Sequence, residues 1–427
     1  MLRSVIDRDV GEGSRSAATP FDRWPYSPAI DAYSHLAHAN DLEPAAGHHH
    51  LLEHCPLHRE EVNEPPFYVV SRYDDAVAVL MQPQLWNNGD GPGVFVQPGG
   101  VLGSADDPDH RRQRKVLQDG FRPRVIESLA PRVEDIGREL WGAAFGADGE
   151  GDFVSLFAFP FPAVVIAELL GVPADERAHF GEWSDDIVRG LGGGDRARVE
   201  RANTQMFALI DRLLDERLVL VGDASNDLPD DVLSVLTAAH AAGTLQRGEV
   251  HRLCQQLLVA GHETTASLIS LMLYRLITQP DLMSRLRALP ELIPTAVEEF
   301  LRFDSPVQGL FRTNAEPCTL LGEDIPQRTK LQVLFAGANR DPRVWDEPDE
   351  IRLDRLTSGT RPHLAFGWGV HHCIGAPLAR REGQFALRMM LDHFATVELI
   401  GDVVVNDPFI LRGLTSMPIR WTTRRAN

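Results

Sequence analysis

A chain of 427 residues with 43% hydrophobic and 24% charged residues has an ordinary globular composition and enough apolar content for a large core. Its 61 acidic against 42 basic residues give a net charge of −19, which argues against general binding to nucleic acid or to an anionic membrane. Four dispersed cysteines (Cys55, Cys254, Cys318, Cys373) without a CxxC pair argue against a disulfide framework or structural zinc and fit a reducing, cytoplasmic compartment.

Residues 1–30, rich in Gly, Ser and Arg, read as a flexible leader without a signal-peptide core, followed by a single domain over 31–427. The run HHHLLEHCPLH at 48–58 concentrates five histidines around Cys55. Imidazole and thiolate are good metal ligands, but the favoured reading is a solvent-exposed surface segment. Residues 66–71 read as a short strand leading into a helix at 74–82, and the Gly- and Pro-rich stretch Asn87 to Gly103 as a long loop.

From about 110 to 300 the pattern is helical, punctuated at Pro123, Pro160, Gly171, Gly192–Gly194 and Pro229. It opens on the basic run His110-Arg111-Arg112-Gln113-Arg114-Lys115. The stretch 249–278 is apolar on most faces and predicts a helix through the core. His262-Glu263-Thr264-Thr265 at its middle would be costly in a bilayer, so no membrane span is expected. A second helix is predicted over 294–303 with Pro294 at its first position, then a β-hairpin over 318–335, then a long helix opened by Pro377 and ending near 395. The fold class is mainly α with a minor β portion.

The chemistry concentrates in Phe366-Gly367-Trp368-Gly369-Val370-His371-His372-Cys373-Ile374-Gly375. Cys373 stands between a glycine-rich loop and a helix start, where free amides donate to a thiolate and lower its pKa. Glycines there let the backbone approach a flat ligand. Glu263 and Thr264 form an acid–alcohol pair inside a core helix, where an uncompensated carboxylate needs a partner or a purpose. Glu299 and Arg302, three apart, share a helix face, as do His110 and Arg114, which suit a carboxylate.

The pattern FxxGxHxCxG, met at every fixed position by FGWGVHHCIG, resembles the haem-binding signature of the cytochrome P450 family, and three further segments match in order over roughly residues 65 to 420. The resemblance implies the P450 fold, with haem b between a long central helix and the cysteine loop, and Cys373 as axial iron ligand. It implies that Phe366, Gly367 and Gly375 shape the haem loop, and that His110, Arg114, Arg312 and His371 bind the propionates. Glu263 and Thr264 would relay protons to dioxygen. Glu299, Arg302 and Arg355 would form a structural triad. Phe95, Val96, Leu258, Ala260, Val307, Leu310, Leu414 and Thr415 would line an apolar substrate pocket.

The reaction so implied is insertion of one oxygen atom from O2 into a lipophilic small molecule such as a terpenoid, steroid, fatty acid or polyketide. Electrons would come from a separate ferredoxin and its NAD(P)H-linked reductase, with a monomeric enzyme in the cytoplasm. Arg111, Arg112 and Lys115 form a solvated basic face or meet an acidic electron donor. Two rival readings are a peroxide-driven haem-thiolate enzyme, against which Glu263 and Thr264 argue, and a non-catalytic haem or ligand-binding protein.

Overall fold

The computed structural model describes residues 42–424 except 44, 62, 119, 178, 180–181, 185, 188–195, 223–226, 356–359 and 407–409. The leader expected at 1–30 and the glycine break at 192–194 lie outside the described residues. The helices are α1 (Ala45–His54), α2 (Tyr73–Leu80), α3 (Asp109–Leu117), α4 (Pro123–Phe145), α5 (Pro160–Leu170), α6 (Arg196–Val221), α7 (Val232–Ala241), α8 (Arg247–Thr278), α9 (Pro280–Ala288), α10 (Ile293–Asp304) and α11 (Ala376–His393). Their ends follow local chemistry. Proline opens α4, α5 and α9, where a missing N–H costs nothing. Gly171 closes α5 with φ of 81°. Asp231 accepts from the Ser234 amide at 2.7 Å to cap α7. Gln246 and Glu249 form a capping box at the head of α8.

α8 is the axis of the molecule. It packs against α5, α6, α7, α9, α10 and α11, so apolar residues on most of its faces find partners. Among the described residues it is also the helix long and apolar enough to cross a membrane, yet 67% of its apolar window is buried inside the protein. The largest apolar cluster surrounds it and draws residues from Val101 to Trp421.

The β portion is peripheral. Strands β1 (Leu57–Glu60), β2 (Phe67–Val70), β3 (Trp86–Asn87), β5 (Leu310–Asn314) and β8 (Lys330–Val333) form one sheet in the order β1-β2-β8-β5-β3. β4 (Gly149–Asp152), β9 (Phe394–Leu399) and β12 (Pro418–Thr423) form another, in the order β4-β12-β9. β6 (Cys318–Leu320) pairs with β7 (Glu323–Ile325), and β10 (Val404–Val405) with β11 (Leu414–Ser416). The hairpin expected over 318–335 is therefore shorter: only 318–325 forms it, and β8 lies antiparallel to β5 and parallel to β2. Pro326 has no amide to donate and Arg328 takes φ of 63°, which breaks the ladder between them. Pro294 occupies the second position of α10 rather than the first.

The histidine-rich segment is not a solvated surface. His48, Cys55 and His58 are buried, because α1 packs against the first sheet and β1 is paired within it.

α10 and the chain after β8 meet in a buried ion network. Glu299 and Arg302 are fully buried, and Arg302 donates to both Glu299 oxygens at 2.8 Å. Its other donors reach the carbonyls of Asn339, Pro348 and Glu350 at 2.9, 2.8 and 3.1 Å. Arg355 Nε adds a bond to Glu299 at 3.0 Å, and the Arg352 amide one at 2.9 Å. Removing one side of a buried, hydrogen-bonded pair strands the other charge. Arg302→Ala should therefore destabilise the protein by about 3–5 kcal/mol in chemical denaturation, or prevent its folding. Arg352→Ala, which keeps the amide and loses only exposed pairs with Asp346 and Glu347, should change stability by less than about 0.5 kcal/mol.

Candidate active site

The cysteine loop hangs from that network. Asn339, whose carbonyl serves Arg302, accepts the Leu364 amide on its side-chain oxygen at 2.6 Å. The Leu364 carbonyl takes the Gly367 amide at 2.8 Å, and the Phe366 carbonyl takes the Cys373 amide at 2.9 Å. Gly367 and Gly369 have φ of 66° and 71°, and a Cβ at Gly369 would meet the Leu80 carbonyl at 2.8 Å. Only glycine supplies both that dihedral and that approach. The loop ends at Gly375, the N-cap of α11.

Cys373 keeps exposed surface although protein surrounds it. Burial prevails and leaves its thiol raised, although the Gly375 and Ala376 amides and the charges of Arg114 and Arg380 pull the other way. Those two amides at a helix start are the donors a thiolate ligand needs.

The four basic residues expected at the propionates converge on this loop or beside it. The rings of His110 and His371 lie with centroids 4.0 Å apart and planes inclined by 39°, and Arg114 donates to the His372 carbonyl at 2.9 Å. Arg312 is buried on β5, and its hydrogen bond is to the Phe311 carbonyl at 2.9 Å. Burial holds Arg312 down at about 10. Burial, with His110, Arg312 and Arg114 nearby, holds His371 down at about 3. Nε2 of His110 and Nδ1 of His371 are buried without partners. A cluster of cationic and neutral donors with orphaned nitrogens requires an anion, so the residues fit the carboxylates of a porphyrin.

On α8, Ala260 is exposed and Gly261, Glu263 and Thr264 are half-buried, although the helix runs through the core. This face therefore borders an internal space. Thr264 Oγ1 donates to the Ala260 carbonyl at 2.7 Å. Phe95 and Val96 are exposed at 60% and 51%, Val307 and Leu310 are half-buried, and Thr415 is exposed. Leu258 and Leu414 are not pocket residues. Leu258 is fully buried, since two residues of helix turn it about 200° from Ala260 into the core. Leu414 packs in the main apolar cluster, because strand alternation sends it inward and Thr415 outward. Arg112 is not free to meet a partner: it pairs with Glu249 at 2.6 Å and Asp109 at 2.7 Å.

Four residues here were missed in the sequence: Glu298, His363, Arg380 and Glu382. Glu298, beside Glu299, takes two bonds from Arg380 at 2.7 and 2.9 Å and one from His363 at 3.2 Å. Arg380 also lies 4.5 Å from the Phe366 ring centroid. The doubled acid Glu298-Glu299 was the available signal, since consecutive helix positions face different neighbours. Glu382 on α11 is buried with Oε1 unpaired, and burial pushes its carboxyl well above the usual range.

A mainly helical fold presenting one thiol at a helix start, beside two arginines and two histidines suited to an anion, fits a haem-thiolate protein. The family model for cytochrome P450 matches residues 165–288 and 290–420. The chain is 36% identical over 398 residues to the cytochrome P450 monooxygenase PikC of Streptomyces venezuelae, covering 90% of this chain and 92% of that protein. It is 34% identical to vitamin D(3) 25-hydroxylase of Pseudonocardia autotrophica over 87% of this chain and 92% of that one. The structure of the bacillaene polyketide synthase cytochrome P450 PksS of Bacillus subtilis superposes with a TM-score of 0.78 at 31% identity, over 90% of this chain and 97% of that chain. This chain belongs to the cytochrome P450 family, and it is a monooxygenase that uses haem and O2.

Burial alone would push the Glu298 carboxyl up, but His363 and Arg380 outweigh it and hold it at about 2. A carboxyl depressed in the folded state stabilises the fold above its unfolded value and loses that contribution as the pH falls. The stability advantage of the parent over Glu298→Gln should thus be greatest above about pH 5 and shrink toward about pH 2, by up to about 3 kcal/mol. Urea midpoints of both proteins across that range measure it. A constant difference would show that Glu298 is not held by its partners.

Proposed function

We propose that this enzyme inserts one oxygen atom from O2 into a lipophilic small molecule of polyketide-like character, with electrons from a separate ferredoxin and NAD(P)H-linked reductase. The observation that carries the reading is the Cys373 loop: a thiol at the head of α11, two amides directed at it, and anion-seeking side chains beside it. Bound haem supplies the activation of dioxygen and the oxidation itself. In this reading Cys373 would hold the haem iron through its sulfur, with the Gly375 and Ala376 amides favouring the thiolate. His110, Arg114, Arg312 and His371 fix the propionates, while Phe366, Gly367 and Gly375 shape the loop.

Thr264 and Glu263 handle protons. The Thr264 hydroxyl donates to the Ala260 carbonyl at rest, so it must rotate to give its hydrogen elsewhere, and Glu263 one residue earlier resupplies it. Glu299, Arg302 and Arg355 hold the loop and do no chemistry. Phe95, Val96, Ala260, Val307, Leu310 and Thr415 meet the substrate, and their mostly apolar character favours a lipophilic one. The names of the vitamin D(3) hydroxylase and the polyketide synthase P450 agree with that class. Arg111 and Lys115, exposed on α3, offer positive charge to an acidic donor protein. Residues 31–427 act as one domain, as a monomer in the cytoplasm.

The decisive experiment reduces the purified protein with dithionite, adds carbon monoxide, and then compares product formation with ferredoxin, reductase and NADPH against hydrogen peroxide alone. A strongly red-shifted Soret band and partner-dependent turnover support the reading. Equal turnover with peroxide alone would replace it with the peroxide-driven alternative. Cys373→Ala should lose the thiolate-type spectrum. Thr264→Ala should keep haem and consume NADPH but divert roughly tenfold or more of the electrons from product into peroxide, as expected for loss of positioned proton transfer. Equal coupling in mutant and parent would remove Thr264 from the relay.

A further inference from the structure

The histidine-rich run has no part in that reaction. On α1, His50 and His54 stand four residues apart, so their imidazoles share one helix face, with Glu53 between them in the order His-x-x-Glu-His. The ring centroids lie 5.3 Å apart, with planes inclined by 58°. Two imidazoles bound tetrahedrally to one ion through bonds of about 2.0–2.1 Å have centroids about 5 Å apart. The observed spacing matches that separation.

The polar atoms agree. Nε2 of His50 is buried and has no partner among the described residues. Nε2 of His54 stands 3.5 Å from the Glu53 carboxylate, which adds negative charge beside the pair. The neighbouring histidines are occupied elsewhere: His49 bonds Asp349 at 2.5 Å, and His58 approaches the Cys55 sulfur at 3.8 Å. No group of three His, Cys, Asp or Glu side chains among the described residues is arranged to hold a metal ion. The remaining coordination positions would be filled by water from the side of the exposed His54 and Glu53.

We propose that His50 and His54 form a two-imidazole site for a zinc-type divalent ion, with Glu53 as an outer carboxylate. Imidazole selects such an ion over hard cations, which prefer oxygen. The ion would bridge successive turns of α1 and so stabilise that helix. α1 is joined by His49 to Asp349, which also pairs with Arg340 at 2.6 Å. Asp349 sits between Pro348 and Glu350, whose carbonyls receive Arg302. Occupancy of the site thus reinforces the segment that holds the cysteine loop.

The test is calorimetric titration of the haem-loaded full chain with Zn2+, and with Mg2+ for comparison. Saturable Zn2+ binding without Mg2+ binding is expected. His50→Ala and His54→Ala should each weaken it at least about tenfold, as loss of one of two chelating groups requires. His49→Ala should leave affinity unchanged. Zn2+ should raise the thermal midpoint of the parent but not of His54→Ala, whose exposed side chain makes misfolding an inadequate explanation. Absence of saturable binding, or binding that survives both His50→Ala and His54→Ala, overturns the proposal. The readout needs no turnover, so it stands or falls apart from the monooxygenase reaction.

Discussion

Arg302 has five N–H donors and all five are used, two on Glu299 and three on the carbonyls of Asn339, Pro348 and Glu350. A guanidinium with no solvent contact tolerates no missing partner, because each unmet donor costs its full desolvation. The segment 339–350 must therefore lie where α10 dictates. Asn339 transmits that position to Leu364, and the Leu364 and Phe366 carbonyls pass it to Gly367 and Cys373. Beside it, Glu298 reaches His363 on one side of the loop and Arg380 on the other. Two adjacent acids on one helix thus fix both ends of the segment that presents the sulfur.

The opposite situation holds beside the sulfur. Burial is the largest force against charge on His110, Arg312 and His371, and Arg114 further opposes charge on both histidines. Such a group is destabilising by itself and becomes favourable only around an anion. The buried network thus supplies rigidity, and the arginine–histidine cluster holds buried nitrogens without partners among the described residues, as the proposed propionate contacts require.

The sequence disclosed the cysteine loop and the α8 motif because their function needs particular residue types at fixed spacing. It disclosed α8 itself because an apolar helix of that length has to lie in the core. It placed Leu258 and Leu414 wrongly because a motif locates a turn of helix or strand, whereas the face is set by rotation of about 100° per helical residue or by strand alternation. The split of 318–335 between two sheets was hidden for a similar reason. Alternation marks strands but not their partners, and the breaker was a positive φ at Arg328, a residue without preference for it. Glu298 and the buried face of His58 depend on contacts across long sequence separations, which no local pattern records.

In a chain whose basic residues, apart from Lys115 and Lys330, are all arginine, the residue type says little about role. Satisfaction of donors says more. Arg302 and Arg275 are buried against carboxylates, Asp304 serving Arg275 at 2.6 Å, and they belong to the architecture. Arg312 is buried with a carbonyl as its hydrogen-bond partner, and its neighbours His110 and His371 carry orphaned nitrogens. The same criterion separates the histidines of α1. His49 has its carboxylate in Asp349 and ties the helix down, whereas His50 holds a buried nitrogen with no partner among the described residues. Where buried polar atoms of one chemistry stand together without partners among the described residues, the donor set states the charge and kind of group that would satisfy them.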